Sequence, residues 1–150
     1  MKSNGSGQLN RSPVHLLHRA SQVVEDVFAA EVKMERLTPR QLLVLMTVAQ
    51  NEGLSQTGIV DRTGIDRSTL ADLVARLKRK GLLQRRRTKE DARAYAVTLT
   101  GEGRRVLGAV TPLAKRVDRR VLDTLPGNRR EEFLTALASI VSMLERTAPA

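Results

Sequence analysis

The amino-acid sequence predicts a mainly α-helical fold that carries one two-stranded β-hairpin. Three observations predict it. The 150-residue chain takes its apolar residues mostly from Leu, Val and Ala, with Phe28, Phe133 and Tyr95 as its aromatics, and a core of that kind suits helices more than a β-sandwich. Apolar residues recur at helical spacing along most of the chain, and the stretches open on capping residues. The exception is a pair of extended runs at 82–88 and 94–99, joined by "TKEDA" at 88–92. That length suits one domain, or one domain with an extension, and is enough to bury a core.

Residues 1–11, rich in Gly, Ser and Asn, read as a flexible tail. Ser12-Pro13 reads as an N-cap with Pro at the first helical position, and Val14, Leu17, Val24, Val27 and Phe28 carry helical spacing to about residue 36. Thr38-Pro39-Arg40-Gln41 is a capping box, and the helix it starts, "RQLLVLMTVAQ", is apolar on more than one face and should be central to the core. Ser55 caps a short helix, "QTGIVDRT", which Gly64 stops. Asp66 caps the next, "RSTLADLVARLKRKG". The hairpin follows. Thr100 can cap a long helix through residue 125, with Pro112 expected to bend it. Asn128 with Glu131 resembles a second capping box, and Phe133, Leu134, Leu137, Ile140, Val141 and Leu144 form an apolar stripe on the last helix.

The middle of the chain, 38–100, therefore reads as a compact unit, flanked by long amphipathic helices in 12–37 and 101–147. Those helices have little to bury against within so small a chain. Packing on a second copy is the simplest solution, with a monomeric bundle as the alternative.

The formal net charge is +10. Such an excess of Lys and Arg points to a polyanionic partner, nucleic acid first and an anionic membrane surface second; the competing explanation is a GC-rich genome. The absence of cysteine excludes disulfides, thiol redox sensing, Cys-zinc sites and cysteine nucleophiles. The N-terminus lacks the apolar segment of a secretory signal, and no apolar run approaches the ~18 residues needed to span a bilayer. The expectation is a soluble cytoplasmic protein that does not engage the membrane.

Residues 55–80 have the layout of a helix-turn-helix. On its second helix Leu70, Leu73, Val74 and Leu77 form one face, and the opposite face centres on Ser68, Asp72, Ala75 and Arg79, flanked by Thr69 and Arg76. Small and hydrogen-bonding residues near the start, with Arg further along, suit a helix lying in a major groove. An ordinary αα-corner with a solvated face would give the same bare pattern. The hairpin behind it favours a winged helix-turn-helix, because an Arg-rich wing tip reaches phosphates or the minor groove. The basic residues Arg62, Arg67, Arg76, Lys78, Arg79, Lys80, Arg85, Arg86, Arg87, Lys89 and Arg93 all lie in this unit, opposed over 62–93 only by Asp66, Asp72, Glu90 and Asp91.

"DARAYAVTLT" fits the D-x-R-x-x-x-x-x-L-T wing signature of MarR-type transcriptional regulators, with Asp91, Arg93, Leu99 and Thr100 in register, and the segment from "LTPRQLL" to "GLLQRR" resembles the family's helix-turn-helix. The resemblance covers about residues 12–147. It implies a winged-helix DNA-binding domain at 38–100, with a two-stranded hairpin wing, and an all-helical dimerisation region at 12–37 and 101–147. It further implies an obligate homodimer that reads a pseudo-palindromic operator in double-stranded DNA through a recognition helix at 66–80. The candidate DNA-binding residues are Arg67, Ser68, Thr69, Asp72, Arg76, Arg79, Arg86, Lys89 and Arg93. Arg93 would enter the minor groove, and Asp91 would shape the wing. Ala92, Thr88-Lys89, Gly58 and Val60 depart from the family's usual residues.

The resemblance also implies a small-molecule effector, such as an aromatic or phenolic acid or its thioester, that releases a repressor from its operator. His15, His18, Arg19 and Arg40 are candidates to meet its carboxylate or phosphate. His15 and His18 share a helix face, but no further metal ligands lie near in sequence. No phosphate loop or catalytic triad is present, so neither an enzyme, a metal site nor a bound cofactor is expected. The rival reading is a sequence-neutral, nucleoid-type nucleic-acid-binding protein.

Overall fold

The computed structural model describes residues 4–88 and 95–148. In chain order the elements are α1 (Asn4–Leu9), α2 (Pro13–Glu31), α3 (Pro39–Gln50), α4 (Gln56–Thr63), α5 (Arg67–Arg79), β1 (Leu83–Arg87), β2 (Tyr95–Leu99), α6 (Gly101–Leu122) and α7 (Arg130–Thr147), with a 3₁₀ turn at Gly127–Arg129. The hairpin tip, with Lys89, Glu90, Asp91, Ala92 and Arg93, lies outside the described residues.

The helix starts follow from their caps. The Ser12 hydroxyl accepts the His15 N–H at 3.4 Å. At α3 the box is reciprocal: Thr38 Oγ1 accepts the Gln41 N–H at 3.2 Å, and Gln41 Oε1 accepts the Thr38 N–H at 3.1 Å. Ser55 accepts the Gly58 N–H at 3.1 Å, and Thr100 Oγ1 accepts the Gly103 N–H at 2.9 Å. Each satisfies a donor that a helix leaves without an internal partner.

Three expectations are corrected. The segment expected as a tail is helical over Asn4–Leu9, closed by the Arg11 and Ser12 N–H groups donating to the Gln8 and Leu9 carbonyls. The first long helix ends at Glu31, not near residue 36. Beyond it the chain turns, with the Glu35 and Arg36 N–H groups both donating to the Val32 carbonyl and Arg36 at φ 51°. Apolar periodicity carries past the stop because Val32 and Leu37 are buried in the turn itself. Asn128 does not cap α7: it is inside the 3₁₀ turn, whose Arg129 N–H donates to Pro126 O at 2.9 Å, and the cap position is Arg129 without a side-chain bond. The two-stranded hairpin is as expected, and the Val97 N–H also donates to Leu54 O at 2.8 Å in an isolated bridge on the other edge of β2.

The chain divides into two compact units, Met1–Ala114 and Lys115–Ala150. In the first, α3 lies at the centre as its apolar character predicts, burying Leu42, Val44, Leu45 and Val48. Ile59, Leu70, Val74, Leu77, Val97 and Val110 complete that core from α4, α5, β2 and α6. The strands pair antiparallel with Leu83 opposite Leu99 and Arg87 opposite Tyr95. Along α2 the apolar residues Val14, Leu16, Leu17 and Val23 stay exposed. In the second unit α7 leaves Leu134, Ile140, Val141, Met143 and Leu144 exposed. Among the described residues no helix is long and apolar enough to cross a membrane.

Candidate nucleic-acid interface

The helix-turn-helix depends on Gly64. Its backbone is left-handed, φ 69° and ψ 5°, a conformation that disfavours a Cβ, and its N–H closes α4 on Val60 O at 2.9 Å. Asp66 then starts α5. Leu70, Val74 and Leu77 anchor α5 in the core, which turns the face of Ser68, Asp72, Ala75 and Arg79 outward. Leu73, expected on the core face, is half-buried and lines a cleft instead.

Asp66 does more than cap. Its Oδ1 accepts the Thr69 N–H and the Ser68 hydroxyl, both at 2.9 Å, and its Oδ2 accepts the Thr69 hydroxyl at 2.6 Å. The Thr69 hydroxyl, then the Thr69 N–H and the Ser68 hydroxyl, pull the carboxyl from its ordinary 3.8 down to about 2. Sequence reading saw the cap but not its grip on two hydroxyls; the visible signal was Ser and Thr at the second and third positions after a capping Asp.

The two flanks of α5 face different neighbours. On one flank, Thr69, Asp72, Leu73 and Arg76 line a cleft of about 590 Å³ whose other walls come from α2 (Glu25, Asp26, Phe28, Ala29) and the start of α3 (Leu37 to Gln41). Asp72 Oδ2 accepts from Arg76 Nε at 2.9 Å, both side chains more than half exposed. That pairing leaves Arg40 as a cleft cation with no ion pair among the described residues. Of the four effector candidates, the structure brings only Arg40 to this cleft. His15, His18 and Arg19 lie in the N-terminal half of α2, and at about 1.5 Å per residue His15 is roughly 15 Å along the axis from Glu25.

On the other flank, Ala75, Lys78 and Arg79 form with Arg85 of β1 a concavity of about 350 Å³ that has no carboxylate among its described residues. Arg85 Nη2 donates to Gln56 Oε1 at 3.4 Å, which draws the guanidinium toward the start of α4. Arg86 is exposed and stands opposite Ala96. Because side chains alternate along a strand, it lies on the other face of β1 from Arg85. The sequence counts Lys78 and Arg85 among the basic residues of this unit, but of β1 it singles out Arg86, not the Arg85 that joins this concavity. Counting by two from the buried Leu83 was the signal that would have found Arg85. Arg67 is exposed in the first turn of α5. Lys80 is tied down, its Nζ donating to the Arg36 carbonyl at 2.6 Å across 44 residues. Lys89 and Arg93, and the wing-shaping Asp91, lie outside the described residues. At the stem of the wing the Arg87 guanidinium is 5.9 Å from the centre of the Tyr95 ring.

The family model for the MarR family matches residues 37–94. Transcriptional regulator HosA of Escherichia coli O111:H- is 30% identical over 106 residues, covering 71% of this chain and 78% of that protein. Among solved structures, the PcaV transcriptional regulator from Streptomyces coelicolor in complex with its natural ligand superposes with a TM-score of 0.83 at 31% identity, over 89% of this chain and 94% of that one. The transcriptional repressor CouR bound to a 23-mer DNA duplex matches equally well, with a TM-score of 0.83 and 31% identity over 93% of this chain and 99% of that one.

Proposed function

The chain belongs to the MarR family, and on that premise we propose that it is a cytoplasmic, non-enzymatic transcriptional repressor that binds a pseudo-palindromic operator as a homodimer. One observation carries the reading: the concavity of Lys78, Arg79 and Arg85 beside the outward face of α5. Three cations with no carboxylate among the described residues beside them, next to a helix whose outward residues are small or hydrogen-bonding, suit a duplex whose phosphates dock there while α5 enters the major groove. Arg93 adds a minor-groove contact from the wing. The exposed apolar residues of α2 and of α7 are covered by a second copy, which places two α5 helices on successive half-sites.

The 590 Å³ cleft takes the effector. Phe28, Leu37 and Leu73 offer an apolar bed, Arg40 a cation for one carboxylate, and Glu25 and Asp26 acceptors for a hydroxyl proton. A small hydroxylated aromatic acid matches that set. Because the cleft shares Thr69, Asp72 and Arg76 with α5, a ligand that shifts α5 lowers operator affinity.

Fluorescence-anisotropy titrations of the full chain against a labelled duplex test the DNA reading. With roughly eight phosphates neutralised per dimer, log affinity falls with log salt at a slope of about −7. Arg85→Gln flattens the slope more than Arg86→Gln does. Salt-independent affinity overturns the reading, and equal affinity for all sequences favours the nucleoid-type alternative.

A further inference from the structure

Resting on that DNA-reading role, we propose that Asp66 sets the hydrogen-bond polarity of the recognition helix, so that Ser68 reads a base bearing an amino group, adenine N6 or cytosine N4, in the major groove.

The argument is one of proton counting. An ionised carboxylate only accepts hydrogen bonds, whereas a hydroxyl has one proton to give and two lone pairs. Ser68 Oγ is 2.9 Å from Asp66 Oδ1, and Thr69 Oγ1 is 2.6 Å from Asp66 Oδ2. Both hydroxyl protons are therefore committed to Asp66, and what remains on each oxygen accepts. Phosphate oxygens, guanine O6 and N7, and thymine O4 are acceptors too, and gain nothing from such a group. On the major-groove edge the donors are the amino groups of adenine and cytosine. Ser68 is exposed at the centre of the outward face. Thr69 is half-buried and lines the cleft, so Ser68 is the reader and Thr69 braces the carboxylate from the other side. A cap alone needs only the Thr69 N–H; the two hydroxyl bonds are additional, and they make Asp66 a positioning residue. Its depressed carboxyl pKa keeps this arrangement ionised throughout the neutral range.

The test begins with selection of bound duplexes from a random library by the full chain and by Ser68→Ala, which locates the position where the variant loses preference. At that position the exocyclic amino group is then deleted, with purine in place of adenine or 2-pyrimidinone in place of cytosine. Deletion weakens the unsubstituted protein roughly three- to tenfold, the range of one hydrogen bond, and leaves Ser68→Ala unchanged. Asp66→Gly removes the oxygen that holds the Ser68 proton, and Gly is itself a favoured N-cap residue; the freed hydroxyl can then donate as well as accept, so the penalty for deleting the amino group shrinks toward that of Ser68→Ala while the thermal midpoint stays close to the parent's. Equal losses in the parent and Ser68→Ala overturn the proposal, as does a penalty undiminished in Asp66→Gly. If the unsubstituted protein enriches no sequence, the regulator reading itself fails, an outcome distinct from enrichment coupled to the wrong group.

Discussion

Replacing Gly103 with alanine measures how closely the start of α6 is pressed onto the chain that leads into the wing. A Cβ at this position would lie 2.1 Å from the Leu82 carbonyl oxygen and 3.0 Å from its carbon, both backbone atoms that no rotamer change can move. To restore an ordinary contact the first turn of α6 must retreat by more than about 1 Å. That displacement strains the bonds that fasten α6: Thr100 N–H to Leu82 O at 3.1 Å, Thr100 Oγ1 to Gly81 O at 2.6 Å, and Gly103 N–H to Thr100 Oγ1 at 2.9 Å. Overpacking of this kind costs about 1–3 kcal/mol, and each lost hydrogen bond adds about 0.5–1.5 kcal/mol. The helix preference of Ala over Gly offsets at most about 1 kcal/mol. The net loss is about 2–4 kcal/mol, and at about 2–4 °C per kcal/mol for a chain of this size the midpoint falls by roughly 5–15 °C. Thermal denaturation followed by circular dichroism at fixed protein concentration reads it, concentration being held because a dimer's midpoint depends on it. A fall of less than about 2 °C would refute the packing argument.

Gly58→Ala is the contrasting case: the added Cβ meets the Leu54 Cδ2 methyl at 2.9 Å, the movable end of a side chain, so helix preference dominates and the midpoint stays level or rises. Asp66 has a depressed carboxyl, so its contribution is complete above 3.8 and is lost as pH falls toward about 2; the difference in midpoint between the parent and Asp66→Asn, measured across that window, changes there and is flat above pH 5. Leu144→Glu places a charge at a residue that is 63% exposed in the single chain and where a second copy is expected. A buried Leu contributes roughly 1.5–3 kcal/mol and counts twice across a two-fold interface, so sedimentation velocity should show a dimer weakened by about 100-fold or more, and an unchanged dimer removes α7 from the interface. Arg40→Met should abolish stabilisation of the protein by hydroxybenzoate in a thermal-shift assay while His15→Ala retains it; the reverse would move the effector site to the N-terminal half of α2.

Much of the architecture was legible because its signals are local. A cap and the N–H it satisfies are three residues apart, as at Thr38 and Asp66, and apolar periodicity is read within a few turns. The failures have the same origin. The first helix ends sooner than its pattern suggests because Val32 and Leu37, on either side of the turn at Arg36, are both buried and so extend the apolar periodicity beyond the helix. Asn128 has the residue type and spacing of a cap, but the preceding Pro126 leads into a 3₁₀ turn that absorbs it.

By itself the sequence determined the order of helices and hairpin, the helix-turn-helix and its outward face, and the family, since caps, glycine turns and periodic burial act between near neighbours. Only the tertiary structure decided how the charges of that face are apportioned. Asp72 and Arg76 go to the cleft with Arg40, Arg79 joins Lys78 and Arg85 on the opposite flank, and His15, His18 and Arg19 stay apart from both. The reason is geometric: the cleft joins residues tens of positions apart, and Arg85 reaches Lys78 and Arg79 only across the turn between α5 and β1, so both groupings are set by how α2, α3, α5 and β1 pack on one core and not by any periodic spacing along the chain.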